Sequence, residues 1–358
     1  MFVSKRSKRR SVLPFLTYVR RFRSMLNKIA VLLVYYGNLP GYFQLWLNSV
    51  GKNLDINFLF VTDCDLSSYK LPCNLIIHRF CFNDLQQLVK EKVDGVLSTP
   101  YKLCDYKIAY GDIFADLLKE YSWFGWCDCD LIFGNIQSFI TDEMLDNYDK
   151  IGITGFFVLM RNIKEIREYY KRTDIKTAWV LFNEVKRHSC NFAFDEKSFM
   201  NRLFAEHYRL HTLRPDMIGD TRPQTINFNT FNNQKIGKEL FHYKNGLIHR
   251  IGENFSKEMM LVHLLKRTMP VIGEIDYNDY WITPKGFCST ENNEVFFESF
   301  TLTIEDQELY KKIYKKKLII TKIKRYSNIC YDYYLVRKLI RRYSSVYKSE
   351  FEKNIYFN

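Results

Sequence analysis

The chain has 358 residues, 47% hydrophobic and 16% aromatic, enough for one large domain or two modest ones with a well-filled core, which excludes a disordered chain. Its net charge of +13 sits at the ends: residues 1–28 carry nine Lys or Arg and no acid, residues 309–358 carry fourteen against three acids, and between them 30 bases meet 37 acids. Nucleic-acid recognition normally places bases and aromatics on the folded domain, so the net acidic middle puts that class last.

Residues 1–27 therefore read as a basic N-terminal segment, 28–305 as the working domain and 306–358 as a basic extension. The early patch "LPFLTY" is short and followed by "VRRFR", wrong for a signal peptide, and no apolar run approaches the ~18 residues of a spanning helix. A cytoplasmic location is expected. Nine cysteines show no paired zinc spacing and read as reduced, small apolar residues.

"KIAVLLVYY" (28–36) is a continuous apolar run before "GNLPG", as expected for a buried parallel strand. "YFQLWLNSV" has helical spacing, "INFLFVTD" is a second strand ending at Asp63, "NLIIHRF" a third, and "NDLQQLVKEKV" a helix behind it. From Tyr101 to Tyr121 apolar residues recur at helical intervals, with Gly111 inside hinting at the close approach of another backbone. The alternation predicts an α/β domain with a mostly parallel sheet flanked by helices, whose ligand crevice lies at the carboxyl ends of the strands.

That helix leads into "WFGWCDCDLIFG" (123–134), where Asp128 and Asp130 alternate with Cys127 and Cys129. In a strand, residues two apart share a side, which puts the two carboxylates roughly 7 Å apart between Cα atoms and turns the thiols away. Two ionised carboxylates repel, and a bound divalent cation relieves the repulsion; oxygen ligands favour magnesium or manganese over zinc. The alternative is a pair of acids capping a turn. Tyr35 and Asp63, at the ends of the first two strands, are placed to meet a nucleoside base and ribose.

The stretch "PYKLCDYKIAYGDIF…WFGWCDCDLIFGNI" resembles a group of uncharacterised bacterial glycosyltransferase-like proteins that accompany surface-polysaccharide genes. More distantly it resembles the GT-A nucleotide-sugar transferases of the glycogenin-like and mannosyltransferase types. The resemblance runs from about Lys28 to Arg267 and is most specific from Lys102 to Asn135. It implies a GT-A-like, Rossmann-like fold in which Asp128 and Asp130 grip a metal on the donor's diphosphate, with Lys102, Asp105 and Lys107 lining the nucleotide-sugar pocket. Lys107 near a helix start would favour an anion, and Asp105 is either a ribose contact or a first-turn acid favoured by the helix dipole. Cys129 departs from the apolar or small residue usual in relatives.

In "NFAFDEKSFMNRLF" Asp195 reads as an N-cap, with Phe194 and Phe199 as a hydrophobic staple. The segment also resembles the GT-A helix start whose acid holds the acceptor hydroxyl or acts as base, which makes Asp195 or Glu196 the candidate. The hairpin "FHYKNGLIHRI" has Asn245 and Gly246 for a two-residue turn. Beyond it, "HLLKR" matches the late histidine and base with which many GT-A enzymes complete the metal shell and clamp the diphosphate, here His263 and Lys266. A lone histidine among Leu and Val also reads as a core residue.

The expected function is thus a glycosyltransferase using Mn2+ or Mg2+ to move a sugar from a nucleotide-diphosphate sugar to a glycan or lipid-linked surface precursor. A non-catalytic nucleotide-sugar-binding scaffold is the alternative, and a nucleic-acid-binding protein comes last. The C-terminal "YDYYLVRKLIRRYSSVY" places bases and aromatics on separate arcs of a helix, for peripheral contact with an anionic membrane or for packing on the domain.

Overall fold

The computed structural model describes residues 28–172, most of 182–289, and Lys312. In chain order the first eight strands are β1 (Ile29–Val34), β2 (Ile56–Thr62), β3 (Leu75–Arg79), β4 (Trp123–Cys127), β5 (Leu131–Phe133), β6 (Lys150–Ile151), β7 (Phe157–Arg161) and β8 (Leu210–His211). There follow β9 (Ile218–Asp220), β10 (Asn229–Thr230), β11 (Leu240–Lys244), β12 (Leu247–Gly252), β13 (Phe255–Met259), β14 (Leu261–His263), β15 (Val271–Ile272), β16 (Asp279–Thr283) and β17 (Gly286–Cys288). The longest helices among the described residues are α1 (Phe43–Gly51), α2 (Phe82–Val93) and α3 (Ser198–His207).

Three sheets form, and the architecture is mixed α/β. The first runs β3-β2-β1-β4-β7-β6-β8. Within it β3, β2, β1 and β4 are parallel, β7 runs against β4 and β6, and β8 pairs parallel with β6. Alternate residues of β1 feed two cores: Ala30 and Leu32 pack on one side with Leu85, Val89 and Val93 of α2, Val31 and Leu33 on the other with Phe43, Trp46 and Leu47 of α1. Burial on both faces explains why β1 and β2 read as unbroken apolar runs rather than alternating ones.

The second sheet, β10-β9-β14-β5, is small; the third, β13-β12-β11-β16-β17-β15, is antiparallel except where β15 meets β17. Its inner face packs Phe241, Tyr243, Tyr280 and Phe287 against Tyr42, Leu45, Ile132 and Val262. The β11–β12 hairpin closes as expected, Lys244 opposite Leu247, through Asn245 at φ 50° and Gly246 at φ 91°.

Two sequence expectations need correction. The stretch from Tyr101 to Tyr121 is not one helix: it is a chain of tight turns, 3₁₀ at Pro100–Asp105 and Lys107–Ala109, with one α-turn at Tyr110–Ile113. Cα–Cβ space at Gly111 is filled not by backbone but by side chains, since an added Cβ would lie 2.7 Å from the Phe124 ring and 2.8 Å from Arg167 Cγ. The basic segments 1–27 and 306–358, Lys312 apart, lie outside the described residues. Among the described residues no helix is long and apolar enough to cross a membrane.

Candidate functional site

The strand β4 ends at Cys127, so Asp128 and Asp130 sit in the bend between β4 and β5, not within a strand as the alternation predicted. Cys127 and Cys129 are buried in the core that faces α1, which anchors the bend from below. The Asp128 N–H donates to the Phe156 carbonyl at 3.0 Å, and the Asp130 carbonyl accepts from Leu264 N at 2.8 Å. The bend is thereby fixed from both flanks.

Asp128 is ringed by protein although 37% of its side chain stays accessible, as at the floor of a recess. Desolvation raises its pKa, Lys107 pulls it down, and Asp130 pushes it up again. The Lys107 ammonium lies 2.8 Å from Asp128 Oδ1 and also donates to the Gly155 carbonyl at 2.8 Å. Trp126 Nε1 donates to that same carbonyl at 3.1 Å.

His263 reaches the site because β14 pairs antiparallel with β5, setting it opposite Leu131, next to Asp130. Its Nε2 is 3.7 Å from Asp130 Oδ1, and its ring stacks on Phe156 with centroids 4.2 Å apart. Thr221 holds the strand in place: its N–H and its hydroxyl both donate to the His263 carbonyl. Tyr35, just beyond β1, completes the edge; burial, with Cys129, Cys64 and Asp130 nearby, pushes its phenol up to about 12. Tyr42 also feels Asp130, and burial raises its pKa further. Among the described residues no three His, Cys, Asp or Glu side chains are grouped to hold a metal as they stand; Asp130 and His263 face each other, while Asp128 is engaged by Lys107.

Residues 31–291 match a family described as a family of unknown function, DUF6625. The chain belongs to that family. No curated protein matches the sequence. Among solved structures, the apo form of mouse xyloside xylosyltransferase 1 is similar over 54% of this chain and 87% of that chain, at 12% identity and a TM-score of 0.31.

In this DUF6625 chain the sequence-predicted residues divide into three groups. Tyr35, Lys107, Asp128, Asp130 and His263 meet at one end of β1, β4 and β14. Asp63 follows β2 and is exposed, near Tyr36, whose pKa rises chiefly through burial. Lys102 and Asp105 are a correction: both side chains are at 0% exposure, with the ammonium 2.7 Å from the carboxylate. Lys102 also donates to the Val185 carbonyl, and Asp105 accepts the backbone N–H groups of Phe192 and Phe194 at 2.9–3.1 Å. The pair is enclosed and pins the 185–194 segment, so it does not line a pocket. Asp195, Glu196 and Lys266, with the Asp195 cap and the side chain of its staple partner Phe199, lie outside the described residues.

Residues the sequence reading missed are Gly155, Phe156, Trp126, Tyr42 and Thr221. Their contributions are backbone carbonyls, ring faces and pairing across distant strands, which leave no local pattern of titratable residues to find.

Proposed function

We propose that this chain is a metal-dependent glycosyltransferase of GT-A type that moves a sugar from a nucleotide-diphosphate donor to a surface-glycan precursor, free or lipid-linked. The observation that carries the reading is the bend holding Asp128 and Asp130 at the carboxyl ends of the parallel strands β1 and β4, with His263 Nε2 3.7 Å from Asp130 Oδ1. Crevices at that edge of an open α/β sheet are where ligands bind. The two carboxylates are oxygen donors suited to manganese or magnesium, and with His263 they are the residues that would hold it. A divalent cation bound there supplies a Lewis acid for the leaving diphosphate, where charge develops in the transition state.

The chain's own groups take the remaining roles. Tyr35 and Asp63, just beyond β1 and β2, would meet base and ribose, and Lys266, three residues after His263 in sequence, would add a positive charge beside the diphosphate. Asp195 or Glu196 holds the acceptor hydroxyl and takes its proton, the role an inverting transfer requires of a carboxylate. A cytoplasmic site of action, with the basic ends touching the membrane, brings the site to a lipid-linked acceptor.

Purified protein incubated with manganese and a panel of nucleotide sugars tests this. Donor hydrolysis or transfer that needs the metal supports the enzyme; metal-dependent binding without turnover identifies a nucleotide-sugar-binding scaffold instead. Neither binding nor turnover across the panel contradicts the proposal.

A further inference from the structure

Lys107 enters the site from the 3₁₀ turn Lys107–Ala109, its side chain only 8% accessible, and its ammonium donates to Asp128 Oδ1 and to the Gly155 carbonyl at 2.8 Å each. Asp128 cannot serve a divalent cation fully while that ammonium occupies its Oδ1. We infer that Lys107 is an exchangeable internal counter-ion: it neutralises Asp128 while that carboxylate has no cation to ligate, and on release presents its charge to the donor's diphosphate. This rests on the nucleotide-sugar reading of the site.

Three observations carry it. The first is that Asp128 and Asp130 lie two residues apart in one bend, where the Lys107 ammonium, 2.8 Å from Asp128 Oδ1, offsets the repulsion that Asp130 exerts on Asp128. A divalent cation that takes the place of the ammonium on Asp128 leaves both positive charges free to attract an anionic diphosphate.

The second observation is the tether. Because Gly155 O also holds the ammonium, Lys107 released from Asp128 stays at the site rather than swinging into solvent. The third is the loop itself: Gly155 anchors Lys107 and Trp126, while its neighbour Phe156 accepts the Asp128 N–H and stacks on His263. One short segment thus touches the counter-ion and two of the three proposed ligands. Cation and diphosphate binding should then be thermodynamically coupled, each raising the affinity of the other by the same factor.

Calorimetry with manganese alone, and with UDP or GDP at saturating manganese, tests the exchange on the full chain. Wild type should bind manganese weakly alone and about tenfold or more tightly with the nucleoside diphosphate present. Lys107→Met, which removes the competitor, should bind manganese alone about tenfold more tightly and, at saturating manganese, the nucleoside diphosphate about tenfold less tightly. Lys107→Gln keeps a donor for Gly155 O without the charge; it should show the same reversal and covers the case in which the Met variant fails to fold. If neither wild type nor variant binds manganese, the metal-site reading itself fails and takes this inference with it. If both bind manganese equally, or a folded variant binds it less tightly, the metal site stands and the counter-ion exchange is overturned.

Discussion

Lys150 shows how much one enclosed charge can govern. It lies at 4% exposure in β6, its Nζ donating to Asn201 Oδ1 at 2.8 Å and lying 5.4 Å and 5.8 Å from the ring centres of Phe204 and Tyr169. Burial lowers its pKa from 10.5 to about 7. Between those two values the unfolded chain holds a proton that the folded chain does not, so folding stability rises with pH across this window and loses that slope below about pH 7. Lys150→Met should remove a pH dependence of about 1.4 kcal/mol per unit, read as the wild-type-minus-variant difference in urea unfolding between pH 7.5 and pH 8.5. A second enclosed charge makes a stronger demand: Asp105→Ala leaves the Lys102 ammonium without its carboxylate and two backbone N–H groups without that acceptor. The expected cost is about 3–5 kcal/mol in the same unfolding experiment, with Asp105→Asn intermediate because it keeps an acceptor oxygen. Neither residue announces its burial in the sequence. In the sequence Asp105 looks like a ribose contact or a first-turn acid and Lys102 like a pocket contact, and only the long-range return of Phe192 and Phe194 shows that they serve the fold. Asp128 and Asp130 stand out in the sequence because carboxylates after an apolar run have few structural reasons to be there.

Among the elements, those with a strong local period were readable and those set by partners were not. β1, β2, β3, α1 and α2 lie within a residue or two of where apolar pattern places them, and the Asn245–Gly246 turn follows from the positive φ that both positions require. Helical spacing between Tyr101 and Tyr121 misled, because a run of 3₁₀ turns buries residues at nearly the same intervals as an α-helix. The bend at Asp128 was likewise hidden: Cys127 ends β4 since the chain there must leave β7 and cross to pair β5 with β14, a choice made in part by a strand more than a hundred residues away. Gly125 offers a test at this scale. A Cβ there would sit 2.0 Å from the Val158 carbonyl oxygen in the adjacent strand β7. Gly125→Ala should therefore part β4 from β7 and cost about 3 kcal/mol, seen as a lowered thermal midpoint. The loss should extend to nucleotide binding, as β4 carries the site.

For the whole molecule the division of charge remains the plainest feature, with bases gathered in residues 1–28 and 309–358 around a mildly acidic middle. Each Lys or Arg near an anionic bilayer contributes about 1 kcal/mol, screened by salt, so several together give reversible attachment. Full-length protein should sediment with anionic vesicles at low salt, less so as salt rises, and the binding should disappear when residues 309–358 are removed while soluble donor hydrolysis survives. A truncated chain that unfolds would assign the extension to packing. The proposed activity depends above all on the two acids that follow β4. Calorimetric titration of UDP and GDP, with and without manganese, into wild type, Asp128→Ala, Asp130→Ala and Cys129→Ser tests it most directly. Metal-dependent binding should vanish in Asp130→Ala, weaken strongly in Asp128→Ala and hardly change in Cys129→Ser. Equal binding by wild type and Asp130→Ala would contradict the metal site and the function built on it.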